Sequence, residues 1–418
     1  MRPPSGSHDV VVVGAGLAGL ACAQDLGAAG LSVRVLEASD GVGGRMRTDR
    51  RDGFLFDRGF QVFNTSYPQV KKRLALRALR LRPFTPGLVL RRDGELLRIA
   101  DPTRRPRMAS GLLPGRAAPA RDLAALGLLT ARDMLQLVAV LKRAPEHTTR
   151  TALAEAGVSE RTVDTLLRPF LSGVFLEDEL GTSSRFLHLV LRSMARGTLC
   201  LPGRGIGAVP EQLAAALPPG TVDLETPVTA LTDDGALVGT ATEHRARAVV
   251  VATDARTAAG LLPGLDVPDG RTVTTYYHAA VTAPLAEPTL LVDGARRFLN
   301  SCVLSEVAPT YAPQGTSLVS TSVLGADTPG RESALRADLA DAYGTDTSGW
   351  ERVATYTVPD ALPAMLPPWP LSRTTRFGPA RYVCGDHRAT GSVQGALASG
   401  ARAAREVLAD LGGPRDRR

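Results

Sequence analysis

The chain has 418 residues, 44% of them hydrophobic, and a formal net charge of +7. That length exceeds what one core normally fills, so two lobes are expected. The four cysteines, Cys22, Cys200, Cys302 and Cys384, are too scattered for a disulfide framework or a metal site, and no metal is expected. No uninterrupted apolar run reaches the roughly 18 residues that span a bilayer, and no nucleic-acid-binding module accompanies the basic residues. The opening MRPPSGSHD lacks a charged and then apolar leader, so a cytoplasmic, reducing location is expected.

Asp9 to Val13 reads as a strand, Leu17 to Ala29 as an Ala/Leu-rich helix and Ser32 to Glu37 as a second strand. Between the first two lies GAGLAG. Gly14 permits the tight turn, Gly16 lets backbone approach a pyrophosphate, and Gly19 lets the helix pack on the strand. The helix N-terminus then offers partial positive charge to phosphate. Glu37, ending the second strand, is placed to accept hydrogen bonds from ribose hydroxyls. These features predict a dinucleotide-binding β-α-β unit.

From Lys71 the pattern turns basic and helical, with prolines at 83, 86, 102, 106 and 114 marking loops and a second lobe beginning. The cations from Lys71 to Arg107 form either a solvated face or a surface for an anionic membrane or phosphate. Thr130 and Asp133 read as a capping box before Met134, Leu135, Val138 and Leu141, and Ser159 similarly precedes a helix. After LPGRGIGAVP (Leu201 to Pro210) a helix is expected. Strands follow over Thr221 to Leu231 and Ala246 to Ala252, the latter buried on both faces and returning the chain to the first lobe. Thr272 to Ala283, Thr289 to Val292 and Ser317 to Leu324 predict an antiparallel sheet, with a helix over Glu332 to Tyr343.

Six motifs in order now stand together: GAGLAG, Glu37, GVGGR (Gly41 to Arg45), FLFDRGFQV (Phe54 to Val62), LPGRGIGAVP and the terminal CGD…SVQGALASG. The chain resembles the FAD-dependent superfamily of monoamine oxidase, protoporphyrinogen oxidase and the carotenoid desaturases. FLFDRGFQVFNTSYP and RPFLSGVFLEDELGTSSRF resemble bacterial and plastid phytoene-desaturase-like oxidoreductases most. The resemblance implies an α/β fold: a Rossmann-like FAD-binding domain with an inserted substrate domain of antiparallel sheet and helices. Segments 1–70, 198–265 and 355–418 would build the first domain, and 71–197 and 266–354 the second.

The resemblance also implies site roles. Gly43 and Gly44 would bring backbone N–H groups to the phosphates, and Arg45 a charged fork near pyrophosphate and flavin. Gly59, Phe60 and Gln61 would pass the flavin ring, and Val228 would meet adenine. Gly385 and Asp386 would hold a ribityl or ribose hydroxyl, while Val393, Gln394 and Gly395 would start a helix aimed at the flavin. Tyr276, Tyr277, His278, Tyr356, His387 and Arg388 are substrate-side candidates, with His387, Gln61 and Tyr276 the catalytic ones. His387 has a structural hydrogen-bonding role as its alternative, and only one of Tyr276 and Tyr277 can face the cavity.

Two departures narrow the expected chemistry. The amine-oxidising branches use a lysine in the substrate lobe, and here no lysine follows Lys142. Only Cys384, inside the final motif, lies near the position of covalent flavin attachment, so non-covalent FAD is expected. The expected activity is hydride removal from an apolar small molecule, forming a C=C or C=N bond, with O2 or a quinone as acceptor. The alternatives are a redox-neutral isomerase using reduced FAD, a flavin amine oxidase, or a flavin- or lipid-binding carrier. A peripheral membrane contact is compatible with the basic stretch, and the oligomeric state is left open.

Overall fold

The computed structural model describes residues 7–101, 104–105, 113, 115–240 and 242–412. Arg107 and the prolines at 102, 106 and 114 lie outside the described residues, as does the leader reading on residues 1–6.

Ala248 to Val251 have no solvent exposure, which places this apolar run in the middle of a sheet covered on both faces. Its strand, Thr242–Val251, pairs in parallel with Ser7–Val13, and Ser7–Val13 pairs in parallel with Val33–Leu36. Val222–Asp223 adds beyond Val33–Leu36. On the other side the first half of Thr242–Val251 receives Gly235–Val238, and its second half receives Arg381–Val383. The segment read as one strand over Thr221 to Leu231 is therefore two. Val222–Asp223 and Val228–Thr232 lie at opposite ends of the sheet order. Pro227 between them has no N–H to continue a ladder.

The last helix, Val393–Leu411, packs on the first, Leu17–Ala28. Their interface is built from small residues, including Ala18, Ala21, Gly400, Ala403 and Ala404. A Cβ on Gly400 would sit 2.0 Å from the Ala18 carbonyl oxygen. The first and last helices are thus joined at backbone contact.

The second sheet has the order Glu351–Pro363, Gly270–Ala280, Ser317–Leu324, Asn300–Val303, Leu291–Asp293, Gly87–Arg92 and Glu95–Ala100. It is antiparallel except where Leu291–Asp293 meets Gly87–Arg92. Its last two strands correct the helical expectation for the basic stretch. Asp93 and Gly94, both at positive φ, turn a hairpin whose Val89, Leu90 and Leu97 are buried. The expected boundary between residues 354 and 355 falls inside Glu351–Pro363, so that strand carries the second sheet on to Pro363. The Arg331–Tyr343 helix covers one face of this sheet, burying Leu335 and Leu339 against Tyr276 and Val319.

A helical layer completes the second lobe. Leu129, Leu153, Phe175, Phe186 and Leu187 form its core with Met365 and Trp369. Thr130 and Asp133 do not cap a helix, because both lie inside Ala120–Leu135, which starts after Pro119. Asp133 is instead buried, accepting from Arg132 and His188 Nδ1. Ser159 does cap, its Oγ accepting the Thr162 N–H.

The helix crossing gives a test of the closure. Gly400→Ala must push the first and last helices apart, and should cost about 1–3 kcal/mol in urea unfolding. Gly27→Ala, in open space on the first helix, should be neutral or stabilising.

Candidate FAD and substrate site

The site starts where the central strands end. Gly14 (φ +102) turns directly against the strand edge, its missing Cβ 3.0 Å from the Ala252 oxygen. A side chain there would be strained and obstructed. The GVGGR loop then runs alongside: Gly16 and Gly43 form a parallel bridge, and the Gly43 N–H donates to the Ala15 oxygen at 2.9 Å. Above them there is room. A Cβ on Gly16 would meet nothing within 4 Å, and one on Gly44 would meet only the Gly16 Cα at 3.7 Å. Two bare backbones beside a helix N-terminus make a cradle fitted to a pyrophosphate.

Glu37 is buried at the edge of this cradle. Its Oε2 accepts the Ala15 N–H at 2.6 Å, and its Oε1 accepts from the Ser39 N–H and hydroxyl. The carboxylate therefore holds the glycine loop in shape. Val228 begins the strand two residues after Thr226, whose N–H donates to the Glu37 carbonyl, so it belongs to the same edge.

The fold brings Arg45, Gln61, Asp386 and His387 together. Arg45 donates to Asp386 Oδ1 at 2.6 Å across 341 residues of chain, and to the Ala361 carbonyl. Gln61 Nε2 donates to the Arg45 carbonyl, and the His387 N–H to Asp386 Oδ1. Burial alone would raise the Asp386 carboxyl, but the adjacent Arg45 guanidinium outweighs it and holds it below the usual carboxylate range. Arg45, Asp386 and His387 line a cleft of 280 Å³ with Asp254, Asp360 and Leu362.

His387 is 2% exposed, and neither ring nitrogen has a hydrogen-bond partner. Desolvation pulls its pKa down to about 4, so the imidazole is neutral at pH 7. Its ring lies against Gly385, whose added Cβ would be 2.5 Å from Cε1. An unpartnered buried imidazole beside the Arg45–Asp386 pair is what a site shaped for a polar cofactor should contain.

Of the terminal motif, Val393 starts the last helix, and Ser392 Oγ caps it by accepting the Gly395 N–H. Gly395 is forced by the Thr390 carbonyl, 1.9 Å from where its Cβ would stand. Gln394 turns sideways, its Oε1 accepting the Gln69 N–H. Cys384 faces the core shared with Cys22, and burial pushes its thiol up to about 12.

Phe60 and Tyr356 are half-buried against an aromatic cluster that contains Phe56, Phe84 and Tyr277. The missing Cβ of Gly59 lies 3.2 Å from Val358 Cγ2, which presses residues 59–61 onto the Glu351–Pro363 strand. The alternation of Gly270–Ala280 decides between the two tyrosines. Tyr277 joins this cluster, whereas Tyr276 and His278 point to the opposite face, toward Asp327 and Glu332 respectively. Tyr276 therefore lies apart from the Arg45–Asp386 cluster. Arg388 donates to the Thr374 carbonyl.

One residue the motifs contained was not singled out. Asp57, in FLFDRG, accepts from Thr48 Oγ1, the Ile206 N–H and Tyr311 Oη, while its carbonyl accepts from Tyr277 Oη. It ties the LPGRGIG turn and the second sheet to the hairpin of Thr48–Arg51 and Phe54–Asp57. Burial pushes its carboxyl up to about 6.

Against this geometry, the family model for flavin-containing amine oxidoreductases matches residues 17–408. The chain belongs to that family, and FAD is its cofactor. It is 41% identical over 85 residues to coproporphyrinogen III oxidase of Propionibacterium freudenreichii, covering 20% of this chain and 16% of that protein. It is 50% identical over 50 residues to 4,4'-diapolycopene oxygenase of a Methylomonas species, covering 12% and 10%. These alignments span a small part of either relative. Cyclohexylamine oxidase of Brevibacterium oxydans shares the fold over 97% of this chain and all of its own, with a TM-score of 0.71 and 18% identity.

Two measurements probe the site. Glu37→Ala should leave the protein folded but lower FAD retention on ultrafiltration by about tenfold or more, roughly one lost charged hydrogen bond. In the FAD-free protein, His387 resists protonation between its unfolded value near 6.5 and its folded value of about 4. The unfolded chain binds that proton first, so stability falls as pH drops through this window, by up to about 1.4 kcal/mol per pH unit. Urea midpoints of His387→Asn should decline less over the same range.

Proposed function

We propose that the protein is an FAD-dependent desaturase or oxidase that removes hydride from an apolar small molecule, creating a C=C or C=N bond. Bound FAD supplies the two-electron acceptor, and O2 or a quinone takes the electrons onward. The observation that carries this reading is the meeting of the Arg45–Gln61–Asp386–His387 cluster with the open Gly16–Gly44 cradle, next to an aromatic wall.

The chain's own contributions follow from that arrangement. Gly16, Gly43 and Gly44 clear the backbone path for the pyrophosphate, Gly14 and Gly19 let the turn and the first helix close on the strand, and Glu37 and Val228 serve the adenosine end. Arg45 supplies fixed positive charge, which Asp386 orients. The start of the Val393–Leu411 helix adds partial positive charge where a reduced cofactor gains negative charge. Gly59, Phe60 and Gln61 form the edge facing the substrate, and Phe60 and Tyr356 favour an apolar ligand and exclude water. His387, neutral at pH 7, is able to donate one hydrogen bond and accept another without adding charge.

Lysine availability separates this reading from amine oxidation. Lys71, Lys72 and Lys142 are the chain's lysines, and all three are exposed. None stands beside the aromatic wall. Cys384 is turned into the core, which supports non-covalent FAD.

Mixing the FAD-loaded protein anaerobically with candidate substrates provides the test. A porphyrinogen or a polyene precursor should bleach the flavin absorption band, and primary amines should leave it unchanged. Bleaching by amines but by neither the porphyrinogen nor the polyene would overturn the proposal.

A further inference from the structure

The helical layer carries an apolar surface that no part of the redox site uses. On Ala120–Leu135, Leu128 and Leu135 are 75% and 78% exposed and lie two turns apart on one face. The chain then turns through Leu137, Val138, Ala139 and Val140, all exposed, with Leu137 at 73%. Soluble surfaces seldom display such a contiguous apolar group without a ligand for it.

This turn is held rigidly in place. Arg192 Nη1 donates to the carbonyls of Asp133, Met134 and Gln136, and Arg196 to that of Met134. Together they satisfy the end of the helix and fix the direction of the residues that follow.

The charges around the patch have one sign. Arg121, Arg132, Lys142 and Arg143 are exposed. Asp122 and Asp133, the acids between residues 119 and 145, are both 0% exposed. Hydroxyls of Ser159 and Thr162 occupy Asp122, and His188 and Arg132 occupy Asp133. The next acid, Glu146, is taken by Ser183, Trp369 and Arg185. The surface thus presents leucines and cations, with its carboxylates folded inward. Within the rim Arg121 and Arg132 lie against Asp122 and Asp133, as in the 71–107 stretch Arg73 lies against Asp25, Arg91 against Asp341 and Arg98 against Glu287, so Lys142 and Arg143 are the rim cations most open to an outside anion.

We propose that the face formed by Leu128, Leu135 and Leu137 to Val140, rimmed by Arg121, Arg132, Lys142 and Arg143, docks on the surface of an anionic bilayer. The apolar side chains insert among the acyl chains while the rim pairs with acidic headgroups. No described helix is long and apolar enough to cross a membrane, and the contact proposed is one-sided. It goes beyond the proposed redox reaction and is measurable without turnover.

The test is flotation of the full FAD-loaded chain with phosphatidylglycerol-containing vesicles, using phosphatidylcholine vesicles for comparison. Binding is expected to the anionic vesicles and to weaken in about 0.5 M salt. Leu135→Gln/Leu137→Gln should lower partitioning by about tenfold or more, with circular dichroism and flavin content unchanged. Lys142→Glu/Arg143→Glu should lower it selectively on anionic vesicles. Failure to bind vesicles, or equal binding by the Leu135→Gln/Leu137→Gln protein, would overturn the proposal. So would a concentration-dependent dimer that those leucine changes dissolve in a protein indifferent to vesicles, since the face would then be a contact between copies.

Discussion

The closure of the last helix onto the first is the constraint on which the site depends. Gly400 against the Ala18 carbonyl allows an approach that any side chain would prevent. That contact carries Ser392 and Val393 to the mouth of the GAGLAG loop, and with them the Asp386–His387 turn. Asp386 is brought to Arg45 by this closure together with the pairing of Arg381–Val383 on Thr242–Val251. The dinucleotide end and the redox end of the site are therefore joined by the helix crossing and the central sheet together.

Asp57 is the second node. Its carboxylate receives three donors, from the Thr48 side chain, the Ile206 backbone and Tyr311. A buried carboxylate is costly unless its lone pairs are filled, and filling them draws three distant segments together. The LPGRGIG motif is thereby placed, with Gly207 N–H donating to the same Thr48 hydroxyl. Its role is to hold the two lobes in register around the aromatic wall, and its raised pKa follows from the same burial.

The structure divides polar and apolar work between its lobes. Charged and glycine-rich groups gather where the cofactor's phosphates and sugars are expected, and aromatic groups gather beyond Gly59. The helical layer turns its carboxylates inward and its leucines outward at one turn. These are separate solutions to one problem, that of keeping each polar group paired while leaving selected surfaces free for ligands.

The β-α-β unit, Glu37 and the terminal motif were legible because their signals are local: a glycine forced by a turn, an acid ending a strand, an apolar run buried on both faces. The hairpin at Asp93-Gly94 was equally local, but its arginines masked the apolar positions Val89, Leu90 and Leu97, which are buried on both faces of the sheet. The capping box at Thr130 failed for the opposite reason. Helix Ala120–Leu135 runs through it because Asp133 finds His188 on another helix, a partner 55 residues away. Whether Tyr276 or Tyr277 faces the aromatic wall depends on strand register, which pairing with Ser317–Leu324 sets. By itself the sequence determined the cofactor class and the strand-turn-helix that cradles it, since these rest on neighbouring residues. Tertiary structure alone decided which side chains surround His387, which carboxylates are hidden and which leucines are bare, because those outcomes depend on contacts between segments far apart in the chain.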